Sequence, residues 1–435
     1  MRIKRVLEKR FKKDLSNIFI LLGGNVAGQA IIFLSSFLIT RFYTPEDFGA
    51  ASVYTAILSI VLVVASWRYE MAIPMAKNKE DSIHLVVLCC LITLVNTIII
   101  IILLALGESL LELDALRNVK AYLWLIPFSL IGMSIYQILS YWAIRNEMFS
   151  KIAKTKLNQS IGQVSLYISL GYTLNGPLGL ILGDIFGKIL GIRILINTKL
   201  VNIMRRIKTI KKDDLKRVAY RFKDFPLISS WSAIINTVGL QIPSILIANL
   251  YSSTIVGWYM LGQKIILVPF GMLGQAVAQV YISKLTNYFR EQPEKCYPLF
   301  KNIVVKLCLV GSVPCLLLFL FGESIFSILF GTDWAEAGRY VQILTPMFFL
   351  YFISFPLSQT LSILEYQRVQ LIWDILRLVM VFIVFYMAHM KHMNIIHMLT
   401  LYSITTTGCY FILLLMVYIV LKRIPMKFKE NVDAS

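Results

Sequence analysis

Long apolar runs separated by short charged stretches constrain this chain more than any other feature of its sequence. A membrane-spanning helix needs about 20 consecutive, mostly apolar residues. The stretch from Phe225 to Ser283 carries one charge in 59 residues, so it must hold two spans, and Tyr251–Thr254 is the natural break. The runs predict about twelve spans, near residues 16–40, 49–68, 83–106, 119–142, 157–174, 177–198, 226–250, 255–283, 302–322, 339–363, 370–390 and 397–421.

The composition agrees with a membrane environment. Hydrophobic residues make up 57% of the 435 residues and charged residues only 15%, too few to cover the surface of a soluble protein of this size. No small-residue cleavage site follows the first run, from Leu15 to Thr40, so it reads as a membrane helix and not as a cleaved signal peptide. The sequence therefore predicts an all-α integral membrane protein.

The distribution of basic residues predicts the orientation of the chain. The formal net charge is +19, and most of the 43 lysines and arginines fall in alternate loops and in the two tails. By the positive-inside rule these segments lie in the cytoplasm, which places both termini there. The charge thus encodes topology, and it does not indicate a nucleic-acid partner.

The longest basic loop, from Lys199 to Lys223, alternates ten basic residues with apolar ones. This pattern fits an amphipathic helix that lies on the anionic lipids of the cytoplasmic leaflet. It fits equally well a solvated loop that only orients the neighbouring spans. The sequence leaves the two interpretations open.

Short motifs recur in the two halves of the chain. Six spans per half is an even number, so both halves enter the membrane from the same side, as in a parallel repeat about an axis along the membrane normal. We expect two six-helix bundles, residues 1–210 and 211–435, of the kind that transporters rock for alternating access. The repeated motifs include Asn25-x-x-Gly28 with Asn236-x-x-Gly239, and Gln137-Ile138-Leu139-Ser140 with Gln359-Thr360-Leu361-Ser362.

Charged residues inside predicted spans are candidates for a functional site because lipid makes them costly. Asp184 and Lys188 are four residues apart and are predicted to form an intramembrane ion pair. Asp374 and Arg377 are three apart toward the inner end of their span, so they can neutralise each other or snorkel, and both are candidates for lining a substrate cleft. Lys264 has no carboxylate within a helical turn. It precedes a part of the predicted helix that Pro269 weakens, because proline removes a backbone hydrogen bond. We expect Lys264 either to attract an anion in a wet cavity or to pair with a carboxylate on another helix.

Three further charged residues lie at the ends of spans. Arg68 and Glu70 fall at the end of the second span, and Arg41 falls at the end of the first. If they belong to the site, these three residues line the substrate cleft. Charged residues at the ends of spans are, however, more often anchors at the membrane–water interface.

Other local patterns indicate structure. Thr44-Pro45-Glu46-Asp47 predicts a helix start with Thr44 as the cap. Glycines at every fourth position from Gly179 to Gly191 predict a close helix contact. Neither the six cysteines nor the four histidines have metal-ligand spacing, so no cofactor or metal is expected.

Two segments carry a family resemblance. The string Arg41-Phe42-Tyr43-Thr44-Pro45-Glu46-Asp47-Phe48-Gly49 is followed, after one span, by Arg68-Tyr69-Glu70-x-Ala72-Ile73-Pro74. Together with the six-plus-six plan, this resembles the polysaccharide transporter family of Wzx-type oligosaccharide flippases, which shares a superfamily with MATE-type multidrug exporters. The likeness extends over essentially the whole chain, although the second half matches only in pattern.

The resemblance implies a V-shaped pair of bundles in the cytoplasmic (inner) membrane. Such a protein moves an undecaprenyl-pyrophosphate-linked oligosaccharide to the outer leaflet for O-antigen, capsule or exopolysaccharide synthesis. The resemblance also implies H+ or Na+ as the coupling ion, and polysaccharide assembly proteins as partners.

Competing classes are a MATE-type cation antiporter, a lipid II flippase and a sugar polymerase. The antiporter normally needs a carboxylate in a bundle cavity, and the first and seventh predicted spans contain none. A lipid II flippase is expected to be longer, with fourteen spans instead of the twelve predicted here. The polymerase class resembles chains with a large outer loop bearing catalytic residues, which this sequence lacks, so we expect no enzyme activity.

Overall fold

The computed structural model describes residues 23–107, 118–196, 210–364 and 366–433. Within these ranges the chain is helical, and no β-strand occurs. Its contacts divide it into two compact units, Met1–Val256 and Gly257–Ser435.

The described residues of the first unit form eight α-helices of ten or more residues that cross or flank the predicted membrane region. A 3₁₀ helix, Tyr69–Ala72, follows the second of them, and another, Lys120–Leu125, leads into the fourth. The helices are α1 (Gly23–Ile39), α2 (Pro45–Val64), α3 (Lys79–Leu106), α4 (Ile126–Arg145), α5 (Phe149–Thr173), α6 (Leu178–Leu190), α7 (Lys212–Arg221) and α8 (Ser230–Leu250).

The second unit is built on five long helices, the first of which begins just before the division between the units. The most buried of these helices within its unit is α11, whereas α10 exposes most of its large apolar side chains, as a lipid-facing helix does. The helices are α9 (Ser253–Glu291), α10 (Cys296–Phe330), α11 (Ala335–Leu357), α12 (Gln367–Met390) and α13 (Ile395–Asp433).

The predicted membrane architecture is confirmed. Nine helical segments in the described ranges are long and apolar enough to cross a membrane, and α1 is a shorter apolar helix. Two further predicted spans, the fifth and the sixth, correspond to α5 and α6. These two fall outside the group of nine because α5 carries many polar residues and α6 has only 13 residues.

The predicted breaks between spans also lie where the sequence placed them. Helix α8 ends at Leu250 and α9 begins at Ser253. Between α5 and α6, Gly176 adopts a φ of +89°, a left-handed conformation that glycine allows at little cost. At the start of α2, the Thr44 hydroxyl accepts from the Asp47 amide at 3.2 Å, and Asp47 accepts from the Thr44 amide at 2.9 Å. This reciprocal capping box confirms the predicted cap.

Glycines bring α5 and α6 into close contact. A Cβ atom on Gly187 would lie 2.6 Å from the Cβ of Gln163 and 2.9 Å from its Cα, and one on Gly183 would overlap the ring of Tyr167. Backbone approach this close requires glycine on one helix. The small-residue stripe predicted for the sixth span is therefore the α5–α6 interface.

A buried apolar cluster fills the end of the first unit where α2 ends and α3 begins. The family string Arg68–Pro74 forms the turn over this cluster, and Ile73 is fully buried. One guanidinium nitrogen of Arg145, on α4, donates to the carbonyls of Ile73 at 3.1 Å and Pro74 at 3.3 Å. The turn is thus fixed by hydrogen bonds from a neighbouring helix.

Helix α7 packs on the same cluster. The side chain of Val218 is 1% exposed, and the Tyr69 hydroxyl donates to the carbonyl of Ala219 at 3.1 Å. Arg217 and Arg221 both pair with the nearly buried carboxylate of Asp81, at 3.4 and 3.0 Å. The described part of the long basic loop is therefore mainly a helix held against protein; residues 199–209 of that loop lie outside the described ranges.

The compact units do not coincide with the predicted bundles. Helix α8, the seventh predicted span, packs against α2 within the first unit. A Cβ on Gly49, in α2, would overlap the carbonyl of Ser253. The division into residues 1–210 and 211–435 follows the sequence repeat and stays a prediction.

Candidate functional site

A polar cavity lies among the helices of the first unit. Its volume is about 400 Å³, within the range of roughly 300 to 1,000 Å³ typical of ligand pockets. The lining comes from α1, α2, α4, α5 and α6. The lining residues are Asn25, Gly28, Gln29, Ile32, Leu62, Met133, Tyr136, Gln137, Lys156, Gln159, Ser160, Gln163 and Lys188.

The local sequence explains why this cavity is polar. On α5, Lys156, Gln159, Ser160 and Gln163 recur at intervals of three and four, which places them on one face of the helix. Gly28 on α1 approaches that face so closely that a Cβ would lie 2.7 Å from the Ser160 hydroxyl oxygen. The polar face of α5 thus turns away from lipid and into the unit.

Two lysines supply the charge of the cavity wall. The ammonium of Lys156 lies 5.1 Å from the centre of the Tyr136 ring, a cation–π distance. The backbone of Lys188 is held to α5, because the Gln159 amide donates to its carbonyl at 2.6 Å. No carboxylate occurs in the lining that the structure describes.

One carboxyl group lies behind the wall, at the family turn. Glu70 is 2% exposed; it accepts from the Ser66 hydroxyl at 2.5 Å and from the amide of Gln137 at 3.1 Å. Burial raises the pKa of the Glu70 carboxyl, and the hydrogen bond from Ser66 and the charge of Arg68 oppose this rise only partly. Gln137 therefore connects the cavity with a buried titratable group.

A second carboxylate lies behind the opposite part of the wall. Asp184 accepts from the Tyr167 hydroxyl at 2.5 Å and from the Gln163 amide. Tyr167 is in turn tied to the family string, because the Tyr43 hydroxyl donates to its carbonyl at 2.8 Å. Like Glu70, Asp184 is separated from the cavity by a glutamine.

The predicted ion pair between Asp184 and Lys188 is wrong. Both residues are described, and their charged groups do not come within ion-pair distance. The reason is that Asp184 faces α5, where Tyr167 and Gln163 bind it, whereas Lys188 is exposed toward the cavity. Helical spacing allows an i,i+4 pair, and the donors of a neighbouring helix prevent it.

The second unit holds the other predicted pair. Arg377 pairs with Asp374 at 3.9 Å, and its guanidinium lies 5.0 Å from the centre of the Trp373 ring. The Arg377 side chain is only 14% exposed, so it does not extend to the interface as a snorkelling residue would. Tyr410 packs beside Trp373, with ring centres 6.0 Å apart. The pair is part of an aromatic cluster.

The remaining candidates are not among the residues that line the cavity. Lys264 is half-buried on α9 and takes part in a polar or electrostatic contact, so the isolation suggested by its local sequence does not persist in the fold. Arg41 is exposed after α1. Arg68 adopts a left-handed φ of 62° at the family turn.

Sequence reasoning thus found Lys188 and, in the layer behind the wall, Glu70 and Asp184, but it missed the polar face of α5. The missed signal is the low hydropathy of this predicted span, together with the three- and four-residue spacing of its polar side chains. No cluster of three potential metal ligands occurs among the described residues. The cavity lining combines amide, hydroxyl and lysine side chains with apolar ones.

The fold is that of transporters of the MOP superfamily. An inward-facing MATE-family multidrug resistance transporter aligns with a TM-score of 0.64 and 15% identity, over 93% of this chain and 96% of that chain. The lipid II flippase MurJ, in an inward closed conformation, aligns with a TM-score of 0.70 and 15% identity, over 94% and 90%. A MOP transporter from Pyrococcus furiosus aligns with a TM-score of 0.53 and 15% identity, over 94% and 96%.

The sequence identifies the family within this class. Residues 38–339 match the profile of a family described as polysaccharide biosynthesis protein, and the chain belongs to that family. Both strings that carried the resemblance lie inside the matched range, so the resemblance is confirmed. A comparison with curated protein sequences gives no match.

Proposed function

We propose that this protein is a flippase that carries an undecaprenyl-pyrophosphate-linked oligosaccharide across the cytoplasmic membrane. The product would serve the synthesis of O-antigen, capsule or exopolysaccharide. The observation that carries the proposal is the cavity: a membrane protein of a polysaccharide biosynthesis family has a pocket whose lining includes Asn, Gln and Ser residues and two lysines beside apolar residues. Such a lining suits sugar hydroxyls and phosphate oxygens.

The same lining argues against a MATE-type cation antiporter. A cation carrier needs a carboxylate that faces its substrate, because a cation buried without a counter-charge is costly. Glu70 and Asp184 instead lie behind Gln137 and Gln163, which donate to them. A lysine-bearing wall repels the organic cations that such an antiporter moves.

The proposed function also requires an orientation in the membrane, a driving force for transport and partners. We place both termini in the cytoplasm on the basis of the positive-inside charge distribution. We assign the driving force to an H+ or Na+ gradient, as the resemblance implies. Anionic lipids of the cytoplasmic leaflet and polysaccharide assembly proteins are the proposed partners.

Reconstitution into liposomes tests the proposal. Fluorescent undecaprenyl-pyrophosphate-linked oligosaccharide, lipid II and an organic cation are offered to separate vesicles under imposed H+ or Na+ gradients, and transfer across the bilayer is measured. We expect transfer of the oligosaccharide lipid and none of the cation. Transfer of lipid II alone or of the cation alone, relative to protein-free vesicles, would replace the proposal with the corresponding class.

A further inference from the structure

We propose that Lys156 and Lys188 together form a diphosphate-binding site on the wall of the cavity in the first unit. The site deepens the proposed function and rests on it, since it assigns the charged part of the lipid-linked substrate to two residues. The ligand chemistry is a diphosphate ester that carries a sugar.

The helix backbones that carry the two lysines are packed closely against each other. Lys156 lies on α5 and Lys188 on α6, and glycines pack these helices so tightly that their backbones cannot move apart or rotate without loss of contact. A Cβ on Gly191 would overlap Thr155, which directly precedes Lys156, and the Gln159 amide holds the backbone of Lys188. Such a scaffold lowers the conformational cost of binding an anion between two ammonium groups.

The surroundings favour an anion. Lys156 lies over the face of Tyr136, a cation–π contact that does not neutralise its charge. The carboxylates nearest the wall are occupied by donors, Asp184 by Tyr167 and Gln163, and Glu70 by Ser66 and Gln137. An incoming diphosphate therefore meets two cations in the lining, while the acidic groups lie behind amides.

The remaining lining indicates where the first sugar would bind. Asn25, Gln29 and Gln159 belong to the same lining, and side-chain amides can both donate to and accept from hydroxyls. A volume of about 400 Å³ lies near the small end of ligand pockets, so it suits the diphosphate and the sugar next to it, not a whole oligosaccharide. The site would thus recognise the junction between lipid and glycan.

A binding measurement tests the site independently of transport. The purified full chain in detergent micelles is titrated with inorganic pyrophosphate, with a nucleotide diphosphate sugar and with a short-chain prenyl-diphosphate sugar, by calorimetry. Lys156→Gln and Lys188→Gln should each weaken binding about tenfold or more, because each removes one charge-assisted contact worth about 1.5–3 kcal/mol. Lys156→Arg and Lys188→Arg should retain most of the affinity.

Matched controls separate the site from general surface charge. Lys154→Gln removes an exposed lysine two residues away on α5, and Arg193→Gln removes an exposed cation just after α6. Both controls should bind as the unchanged protein does. Thermal unfolding of every variant establishes that the fold is retained, and the arginine variants supply a folded comparison if a glutamine variant is unstable.

The outcomes are distinct. Tighter binding of the prenyl-diphosphate sugar than of the nucleotide sugar, with loss in both glutamine variants, supports a lipid-linked ligand, whereas equal binding with the same loss supports a site for any diphosphate sugar. Binding that is unchanged in both variants, or absent from the unchanged protein, overturns the site even if liposomes show transport. Lysine-dependent binding without transport leaves the site in place and refutes the flippase.

Discussion

At the scale of single residues, Glu70 is a buried carboxyl whose pKa is raised by its environment. It is buried at the end of the family turn, and Trp67 and Arg68 before it adopt left-handed φ values of 49° and 62°. Such conformations are costly for residues other than glycine and persist where the surrounding contacts hold them. The hydrogen bonds of Glu70 to Ser66 and Gln137 are among those contacts.

We predict that Glu70 makes the protein less stable as pH rises. The folded protein holds the Glu70 proton more tightly than the unfolded chain does, because burial raises the pKa above the ordinary value of 4.5. The free energy of unfolding therefore falls as pH rises from 4.5 through the raised folded-state pKa. Thermal unfolding in detergent, measured across that window, should show this fall in the unchanged protein.

Glu70→Gln should remove that pH dependence, because an amide does not titrate. Glu80→Gln, an exposed carboxyl in the first turn of α3, is the control and should retain it. Glu70→Ala should lower stability by about 1–3 kcal/mol below pH 4.5, because Ser66 and Gln137 lose a buried partner, and by less as pH rises through the raised folded-state pKa. An unchanged slope in Glu70→Gln would assign the pH dependence to another group.

At the scale of helices, the contact between α5 and α6 carries the geometry of the cavity. We predict that Gly187→Ala destabilises the protein by about 1–3 kcal/mol, because its Cβ would lie 2.9 Å from the Gln163 backbone. Gly271→Ala is the matched control: a Cβ there meets nothing within 4 Å, so the change should stabilise α9 by up to about 1 kcal/mol. Thermal unfolding measures both, and shifts of the same sign would contradict the packing argument.

At the same scale, a second feature to test is how α7 is held against the rest of the first unit. We predict that Asp81→Ala loosens α7, because Arg217 and Arg221 lose their common partner. The expected cost is about 1 kcal/mol, given that Arg217 is well exposed, and this corresponds to about a fivefold change in the opening equilibrium.

Cysteine labelling measures this loosening. Val218→Cys places a thiol at a position that is 1% exposed, so a thiol reagent should reach it about fivefold faster once Asp81 is replaced. Asp214→Ala, which removes only the i,i+3 pair with Arg217, should leave the rate nearly unchanged. Equal labelling of Val218→Cys with and without Asp81 would show that apolar packing alone holds α7.

At the scale of the whole molecule, orientation in the membrane is the property to test. We predict that single cysteines at Asn78, Ser150 and Lys212 react with impermeant reagents only from the cytoplasm, and one at Asn175 only from outside. All four positions are exposed. Ser253 is a poor reporter of the outer side, because it is 8% exposed and binds Asn118 at 3.0 Å.

The labelling uses a background in which the six native cysteines are replaced, four of which are buried. Intact cells and inverted vesicles report the two sides separately. Reaction of the Lys212 cysteine in intact cells would reverse the proposed orientation. Reaction of the Ser150 and Asn175 cysteines from the same side would show that α5 does not cross the membrane.

The sequence by itself determined the features that depend on near neighbours along the chain. Apolar runs predicted the spans, the break before α9 followed from the length of one run with a single charge, and the glycine spacing of α6 predicted a helix contact. These predictions succeed because the length, periodicity and chain breaks of a helix are local properties, and because lipid penalises every exposed backbone group.

Only the tertiary structure decided which polar groups meet. Asn25, Gln137, Lys156 and Lys188 line one cavity although they come from four helices, and Asp184 binds Tyr167 on α5 instead of Lys188 on its own helix. Asp81 likewise holds α7 from a distant part of the chain. The spacing of residues along one helix determines which of them can contact each other. The free energy of burying a polar group, however, depends on the donors and acceptors that packing brings from other helices.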